Sequence, residues 1–199
     1  VYTAALENGY SPTTIIVDAP IDIETVSGIW QPQNSSNKWF GVAPLRKGLE
    51  YSRNLMTIRL AKDLGMEEVS KYADMFGIYK NMPLFLSYSI GAGETSLLKL
   101  VSAYAILANG GYKVKPSLID RIQNRYGETL FNNEYAICYD CLVSEIEITR
   151  LPEVSLSSKR VLDPVTVYRI NSMLRGVVSR GTASSTVGKL GLNLSLIHI

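Results

Sequence analysis

The chain has 199 residues, of which 46% are hydrophobic and 19% are charged; these values fit one folded domain and exclude a disordered composition. Its net charge of +2 is spread along the chain, and without a block of like charge the sequence gives no basis for a nucleic-acid partner. No run of about 18 or more apolar residues occurs, which excludes a helix that spans a membrane within this sequence.

The first half of the chain predicts helices separated by one strand and one long loop. Glycine and proline mark the ends of these segments, and apolar residues recur at helical spacing between them. In chain order we expect a helix over residues 1–6 that stops at Asn8-Gly9, a strand over 15–20, a loop over 27–41 anchored by Trp30 and Trp39, a helix with Pro44 in its first turn, a helix through Met56, Leu60 and Leu64, and a helix over 67–76.

The second half predicts two longer helices with a hairpin between them. We expect Thr95 to cap a helix that runs to Ala108, and a second helix to start at Asp163-Pro164. The inward residues predicted for the first helix are Leu97, Val101, Tyr104, Ala105 and Ala108; for the second they are Val167, Ile170, Leu174 and Val177. Between them, residues 117–123 and 129–131 predict two strands around a Tyr126-Gly127 turn. Residues 132–160 show no clear period and predict a surface insertion. The fold class is therefore α+β or α/β.

Ser52-Arg53-Asn54 is the candidate site because it lies where one predicted helix ends and the next begins. A serine hydroxyl can donate and accept, and an asparagine amide offers a carbonyl and an amino group, so the pair could hold a peptide and relay a proton. No general base is adjacent, so the pair cannot perform nucleophilic catalysis alone. Taken alone, the pattern Ser-x-Asn favours a helix N-cap instead.

The surroundings of this tripeptide resemble class A penicillin-binding proteins. That family carries the pattern W-x-P-x-N followed by G-x-V-x-L-R-x-A-L-x-x-S-x-N, and residues 30–34 and 41–54 match it, except that Ala43 stands at the pattern's valine and Gly48 replaces the usual alanine. Further blocks resemble the family in the same order: residues 1–9, 57–61, 91–98, 103–111, 115–127 and 163–183. Several ordered blocks are far more specific than a single motif.

The resemblance implies a penicilloyl-serine transferase fold, helix-rich with a partial antiparallel sheet. It implies a D,D-transpeptidase that cross-links peptidoglycan stem peptides in bacterial cell-wall synthesis and binds β-lactams, with the motifs Ser-x-x-Lys, Ser-x-Asn and Lys-Thr/Ser-Gly. By the same resemblance, Ser52 is a catalytic residue that relays the leaving-group proton, and Asn54 binds the substrate amide. The family needs no cofactor or metal, and the parent protein would be anchored in the cytoplasmic membrane with this domain on its outer side.

The chain departs from the family by lacking the other two motifs. No Ser-x-x-Lys of the right context is present, and residues 1–9 resemble the stretch just after it. The third motif is missing too, since Lys189-Leu190-Gly191 resembles Lys-Thr-Gly only loosely and leucine has no hydroxyl. Ser96-x-x-Lys99 matches the first motif literally but in the wrong order, so we interpret it as structural. We therefore expect residues 1–193 to be part of a transpeptidase domain, inactive alone and with part of its core exposed, and residues 194–199 to be a non-native tail.

Other readings remain open beside this one. The chain could be a non-catalytic interaction or sensory domain on the same fold, or belong to a related hydrolase such as a β-lactamase, although the helical blocks argue against the latter. Cys138 and Cys141 form a lone C-x-x-C that favours a loop disulfide or two free thiols over metal or redox chemistry. Gly91-Ala-Gly93 indicates a turn rather than a nucleotide site, and His198 is given no functional role.

Overall fold

The protein, in a computed structural model, is described for residues 1–26, 28–133, 136–138, 154–156, 158–192 and 194–195, with the backbone alone described for 136–138 and 154–156. Within these ranges it is a mixture of α-helices and antiparallel strands. The helices are α1 (Tyr2–Glu7), α2 (Leu45–Glu50), α3 (Asn54–Leu64), α4 (Met66–Met75), α5 (Leu97–Ala108) and α6 (Pro164–Ser179). The strands are β1 (Ile15–Asp18), β2 (Ile23–Thr25), β3 (Gly28–Trp30), β4 (Gly41–Pro44), β5 (Arg121–Gln123), β6 (Thr129–Asn132), β7 (Ala136–Cys138) and β8 (Val154–Leu156).

The main core lies between α1, α2, α3, α5 and α6. Its buried side chains come from all five helices, and burying each large apolar side chain stabilises the fold by about 1.5–3 kcal/mol. Its members are Ala5, Leu6, Leu45, Leu60, Ile106, Leu107, Leu162, Val167, Ile170, Met173 and Leu174. A smaller cluster of Ala61, Met66, Val69 and Met82 joins α3 to α4.

Helix α6 forms where its sequence signals predict it. The Asp163 carboxylate accepts hydrogen bonds from the backbone N–H groups of Val165 (2.8 Å) and Thr166 (3.4 Å), and Pro164 needs no N–H partner in the first turn. All four residues predicted to face inward, from Val167 to Val177, are buried. The helix prediction is therefore confirmed in position, cap and face.

The described strands pair two by two in antiparallel fashion, β1 with β4, β2 with β3, β5 with β6 and β7 with β8. The β1–β4 pair matters most for the site, because it aligns Ile15 with Pro44 and Asp18 with Gly41. This register brings residues 15–18 alongside the strand that leads directly into α2. Asp18 is thereby carried to the side of the molecule where α3 begins.

Several predictions need correction. Residues 27–41 are not all loop, since β3 and the start of β4 lie there, and Trp39 is more than half exposed, so it anchors nothing. Pro44 ends β4 and precedes the first turn of α2.

Ser96, not Thr95, caps α5, because Thr95 Oγ1 donates instead to the carbonyl of Ile78 (3.0 Å). The predicted strand 117–123 shortens to Arg121–Gln123.

The predicted inward face of α5 is wrong for Leu97, Val101 and Ala108, whereas Tyr104 packs against the main core as predicted. Leu97 and Val101 are 76% and 56% exposed, whereas Ala103, Ile106 and Leu107 are buried. Most of residues 132–160, the Cys138 side chain, Cys141 and His198 lie outside the described residues. Among the residues that are described, no helix has both the length and the apolar character needed to cross a bilayer.

Candidate active site

The turn between α2 and α3 places Ser52 in a conformation that usually belongs to glycine. Its φ of 51° is left-handed. The N–H of Arg53 bonds to the carbonyl of Gly48 (2.8 Å), and the N–H of Ser52 bonds to that of Leu49 (3.2 Å). These two bonds form a Schellman motif, in which the left-handed position is normally glycine. A serine there costs about 1–2 kcal/mol of backbone strain, and strain of this kind concentrates at functional sites.

Ser52 is not the N-cap of α3. The cap position belongs to Arg53, whose side chain makes no capping bond. The N–H of Leu55 is instead satisfied from a distant loop, by the side-chain oxygen of Asn34 (3.2 Å). The N-cap interpretation is therefore wrong, and within the described residues the Ser52 hydroxyl makes no hydrogen bond that would hold it in a structural role.

Ser52 and Asn54 open onto one small cavity of about 260 Å³. The Ser52 side chain is exposed and that of Asn54 is half-buried. The Asn54 amide donates to the carbonyl of Gln33 (3.0 Å), which uses one of its two amide hydrogens. The cavity is lined by Val1, Tyr2, Gly48, Leu49, Ser52, Asn54, Thr57 and Ser89. The structure thus brings the two predicted residues together at one cavity that is large enough for part of a peptide.

Tyr2 closes the floor of this cavity through a close fit with Gly48. Its hydroxyl bonds to Thr57 Oγ1 (2.8 Å), and a Cβ on Gly48 would lie 2.4 Å from that hydroxyl oxygen. The glycine that replaces the family's usual alanine therefore leaves the space that the tyrosine hydroxyl occupies. Burial raises the pKa of Tyr2, while the Thr57 hydrogen bond lowers it in part. The phenol is thus neutral at physiological pH and can donate a hydrogen bond.

Glu50 connects the Ser52 turn to the end of α6. Its buried carboxylate accepts from Arg46 Nε (2.9 Å) and from Arg180 Nε (2.9 Å). Its carbonyl accepts from the N–H of Thr182 (3.1 Å), and a Cβ on Gly181 would lie 2.1 Å from that same carbonyl oxygen. Residues 180–182, which resemble the approach to the family's last motif, are therefore fixed against the turn that carries Ser52.

The other sequence candidates lie apart from this cavity. Ser96 Oγ accepts from the N–H of Lys99 (3.4 Å) and so acts as the N-cap of α5, in agreement with a structural interpretation. Gly91 has a left-handed φ of 91° at the end of a short 3₁₀ turn, as expected of a turn residue. Lys189 lies in another 3₁₀ turn, Val187–Leu190.

Sequence reasoning missed the residues that support the Ser52 turn. Asp18, Asn34 and Arg53 are buried together behind it. The available signal was an aspartate within the apolar run 15–20 and an asparagine at the end of the 30–34 block. A charge inside an apolar strand is costly unless it is paired, so Asp18 could have been identified as a residue with a buried partner.

Comparison with known proteins gives a consistent result. The family described as the penicillin binding protein transpeptidase domain matches residues 1–195. The chain is 39% identical over 197 residues to Penicillin-binding protein 1A of Rickettsia bellii, covering 96% of this chain and 24% of that protein. It is 30% identical over 217 residues to Penicillin-binding protein 1A of Pseudomonas aeruginosa, covering 92% and 26%. The chain thus spans about a quarter of the length of these relatives.

The fold agrees with solved structures at lower identity. The crystal structure of Penicillin-Binding Protein 1A from Haemophilus influenzae superposes with a TM-score of 0.77 at 23% identity, over 92% of this chain and 30% of that one. PonA1 from Mycobacterium tuberculosis superposes with a TM-score of 0.71 at 18% identity, over 89% and 45%. These likenesses establish the fold.

Proposed function

Because this chain belongs to the family of penicillin-binding protein transpeptidase domains, we propose that it supplies the middle active-site motif of a serine D,D-transpeptidase. In this proposal the full-length protein cross-links peptidoglycan stem peptides and is acylated by β-lactams. It would be anchored in the cytoplasmic membrane, with this domain on the outer side. The relatives named Penicillin-binding protein 1A support this reading.

The observation that carries the proposal is the state of Ser52. This serine occupies a left-handed position where glycine is preferred, and it does not cap α3. A local rule broken without a structural gain is the mark expected of a functional residue. The exposed hydroxyl opens onto the same cavity as the Asn54 amide.

Acyl transfer by a serine nucleophile needs a proton relay and a fixed acyl group. When the nucleophile attacks the penultimate D-alanine carbonyl, the leaving amine must receive a proton. The Ser52 hydroxyl can accept one proton and donate another, so it is suited to pass that proton on. Asn54 has an amide hydrogen beyond the one used by Gln33, and it can hold the carbonyl of a bound peptide or the side-chain amide of a β-lactam.

We also propose that residues 1–193 form part of a larger transpeptidase domain. The exposed face of α5 supports this, because Leu97, Leu98 and Val101 are each more than half exposed. Adjacent apolar residues on one helix usually meet another part of the protein. In the full-length protein this face would pack against the remainder of the domain.

The test is acylation of the full-length protein by a fluorescent penicillin. We expect Ser52→Ala and Ser52→Gly each to lower the acylation rate constant by about 100-fold or more, the range of a lost proton relay. Ser52→Gly should be no less stable than the wild type, since glycine relieves the left-handed strain. Activity would then fall without any loss of folded protein.

The matched control is Ser96→Ala, which removes a serine hydroxyl from a literal Ser-x-x-Lys but leaves the cavity intact. Its acylation rate constant should equal that of the wild type. Wild-type labelling with an unchanged rate in Ser52→Gly would refute the role of Ser52. No labelling of the full-length wild type would favour the non-catalytic interaction domain instead. The 199-residue chain alone should form no stable adduct.

A further inference from the structure

Three polar residues are buried directly behind the Ser52 turn. Asp18 is 0% exposed, Asn34 is 2% exposed and Arg53 is 5% exposed. Arg53 is the middle residue of Ser52-Arg53-Asn54, so the motif has one member turned inward between two turned toward the cavity. A charge is retained in such a place only where it is paired and hydrogen-bonded.

The Asp18 carboxylate is the centre of this cluster. One oxygen accepts from Arg53 Nε (2.8 Å) and from the N–H of Phe40 (2.9 Å). The other accepts from the Asn34 amide (2.8 Å). Both oxygens are therefore occupied by donors from three separate segments of the chain.

The guanidinium of Arg53 is held by hydrogen bonds to three residues and by an aromatic ring. Besides Asp18, it donates to Ser36 Oγ (2.8 Å) and to the carbonyl of Lys38. Its central carbon lies 4.4 Å from the centre of the Phe40 ring. Arginine suits this position because its planar fork carries several donors at fixed angles, which a lysine cannot reproduce.

The same loop also holds the Asn54 side chain and the backbone N–H of the residue that follows it. The side-chain oxygen of Asn34 accepts the N–H of Leu55 (3.2 Å), and the carbonyl of Gln33 accepts the Asn54 amide (3.0 Å). The strained backbone of Ser52 is thus followed by Asn54, whose side chain is hydrogen-bonded, and by the start of α3, where Asn34 of the loop accepts the N–H of Leu55. A left-handed serine persists only when its surroundings determine it in this way.

We infer that Asp18 and Asn34 are positioning residues for the Ser52-x-Asn54 motif, and that Asp18 acts through Arg53. Neither lines the cavity, so neither would touch a substrate held there. They set the position of the Ser52 hydroxyl and the Asn54 amide relative to each other. This inference rests on the proposed transpeptidase function for its kinetic consequence, but the buried cluster of Asp18, Asn34 and Arg53, called the clamp from here on, can be observed without it.

The kinetic test uses the full-length protein with Asp18→Asn, Arg53→Met and the double variant. For each, the fluorescent-penicillin rate constant and the fraction of molecules labelled at saturation are measured separately. Misplacement by about 1 Å costs roughly 100-fold in rate, so we expect each single variant to be about 10- to 100-fold slower with an unchanged labelled fraction. A merely structural role would lower the labelled fraction and leave the rate constant of the remaining molecules unchanged.

The double variant tests whether Asp18 acts through Arg53. If it does, the double variant is no slower than the slower single variant, because residues in one network are not additive. The double variant also buries no unpaired charge, so its rate constant can be measured even where Arg53→Met folds poorly. The control is Asp163→Ala, which removes the cap of α6 and should lower the melting temperature without changing the rate constant. Rate constants within twofold of wild type in all three variants would overturn the inference.

Hydrogen exchange separates this inference from the proposed function. In the full-length protein, Asp18→Asn should speed exchange of the Leu55 amide at least about 10-fold relative to Asp163→Ala. An amide at position 18 has one acceptor oxygen and cannot accept from both Arg53 and Asn34, which weakens the hold on Asn34. If the wild-type full-length protein is not acylated but exchange responds, the proposed function fails and the clamp stands. If exchange at Leu55 is unchanged, the clamp fails whether or not the protein is acylated.

Discussion

Helices α5 and α6 both contribute to the main core, but they differ in how much of their apolar surface is covered. Along α6, Val167, Ile170, Leu174 and Val177 are all buried. Along α5, Ile106 and Leu107 reach the main core and Ala103 is buried, while the apolar residues from Leu97 to Val101 stay largely exposed.

This difference shows that apolar content and burial are separate properties of a helix. Burial depends on a surface to pack against, and α6 has one in α1 and α2, whereas nothing in the described part of the chain covers the first turn of α5. Stability in this chain should therefore depend steeply on α6 and weakly on the start of α5. Matched substitutions in the two helices can test that contrast.

The largest expected effect compares two Leu→Ala substitutions. Leu174→Ala in α6 removes a side chain that is 3% exposed, whereas Leu97→Ala in α5 removes one that is 76% exposed. We expect the first to lower the free energy of unfolding by about 2–5 kcal/mol and the second to change it by less than about 0.5 kcal/mol. Urea denaturation of the two variants beside the wild type measures both. Similar losses at the two positions would break the comparison.

The second test asks whether tight packing also governs the contact between α1 and α2. Gly48→Ala places a Cβ where the Tyr2 hydroxyl lies and should force that hydroxyl away from Thr57. An unsatisfied buried hydroxyl costs about 1–3 kcal/mol, while alanine in place of glycine gains about 1 kcal/mol in a helix. We expect a net loss of about 1 kcal/mol, measured by urea denaturation.

The control for this substitution is the same change made in a Tyr2→Phe background. Without the hydroxyl, the nearest atom to the added Cβ is Met56 Cβ at 3.3 Å, a tight contact but not a clash, and Gly48→Ala should then stabilise the protein by up to about 1 kcal/mol. The sign of the effect would reverse between the two backgrounds. A loss of equal size in both would mean that the clash is with other atoms, of which Met56 Cβ at 3.3 Å is the nearest.

The same contrast explains which parts of the fold the sequence could predict. Helix α6 carries a cap, a proline at its start and apolar residues on one face only, and each of these signals is local. Helix α5 has apolar residues nearly all round its first turn, so its periodicity could not choose a face there, and the predicted face was wrong for Leu97 and Val101. The identity of the covering surface is a property of the whole fold.

The candidate site shows a similar division. Ser52 and Asn54 were predicted from an ordered set of motifs, and the structure places both on one cavity. The clamp behind them was not predicted, because Asp18 lies 16 residues from Asn34 and 35 from Arg53 in sequence. Such pairs become visible only once β1 and β4 are paired. The left-handed conformation of Ser52 was not predicted either, because serine gives no local signal for it.

The smallest expected effect compares the caps of the two helices. Asp163 accepts from two N–H groups of α6, the shorter bond being 2.8 Å, whereas Ser96 accepts from one N–H of α5 at 3.4 Å. Asp163→Ala should lower the free energy of unfolding by about 1 kcal/mol, and Ser96→Ala by less than half of that. Asp163→Asn is the control, since asparagine caps as well as aspartate and should restore most of the loss. The first turn of α5 can fray without exposing much buried surface, so loss of its cap should change the free energy of global unfolding little. Equal losses in the two alanine variants would show instead that the start of α5 unfolds only with the core, and that its exposed leucines belong to the same cooperative unit as α6.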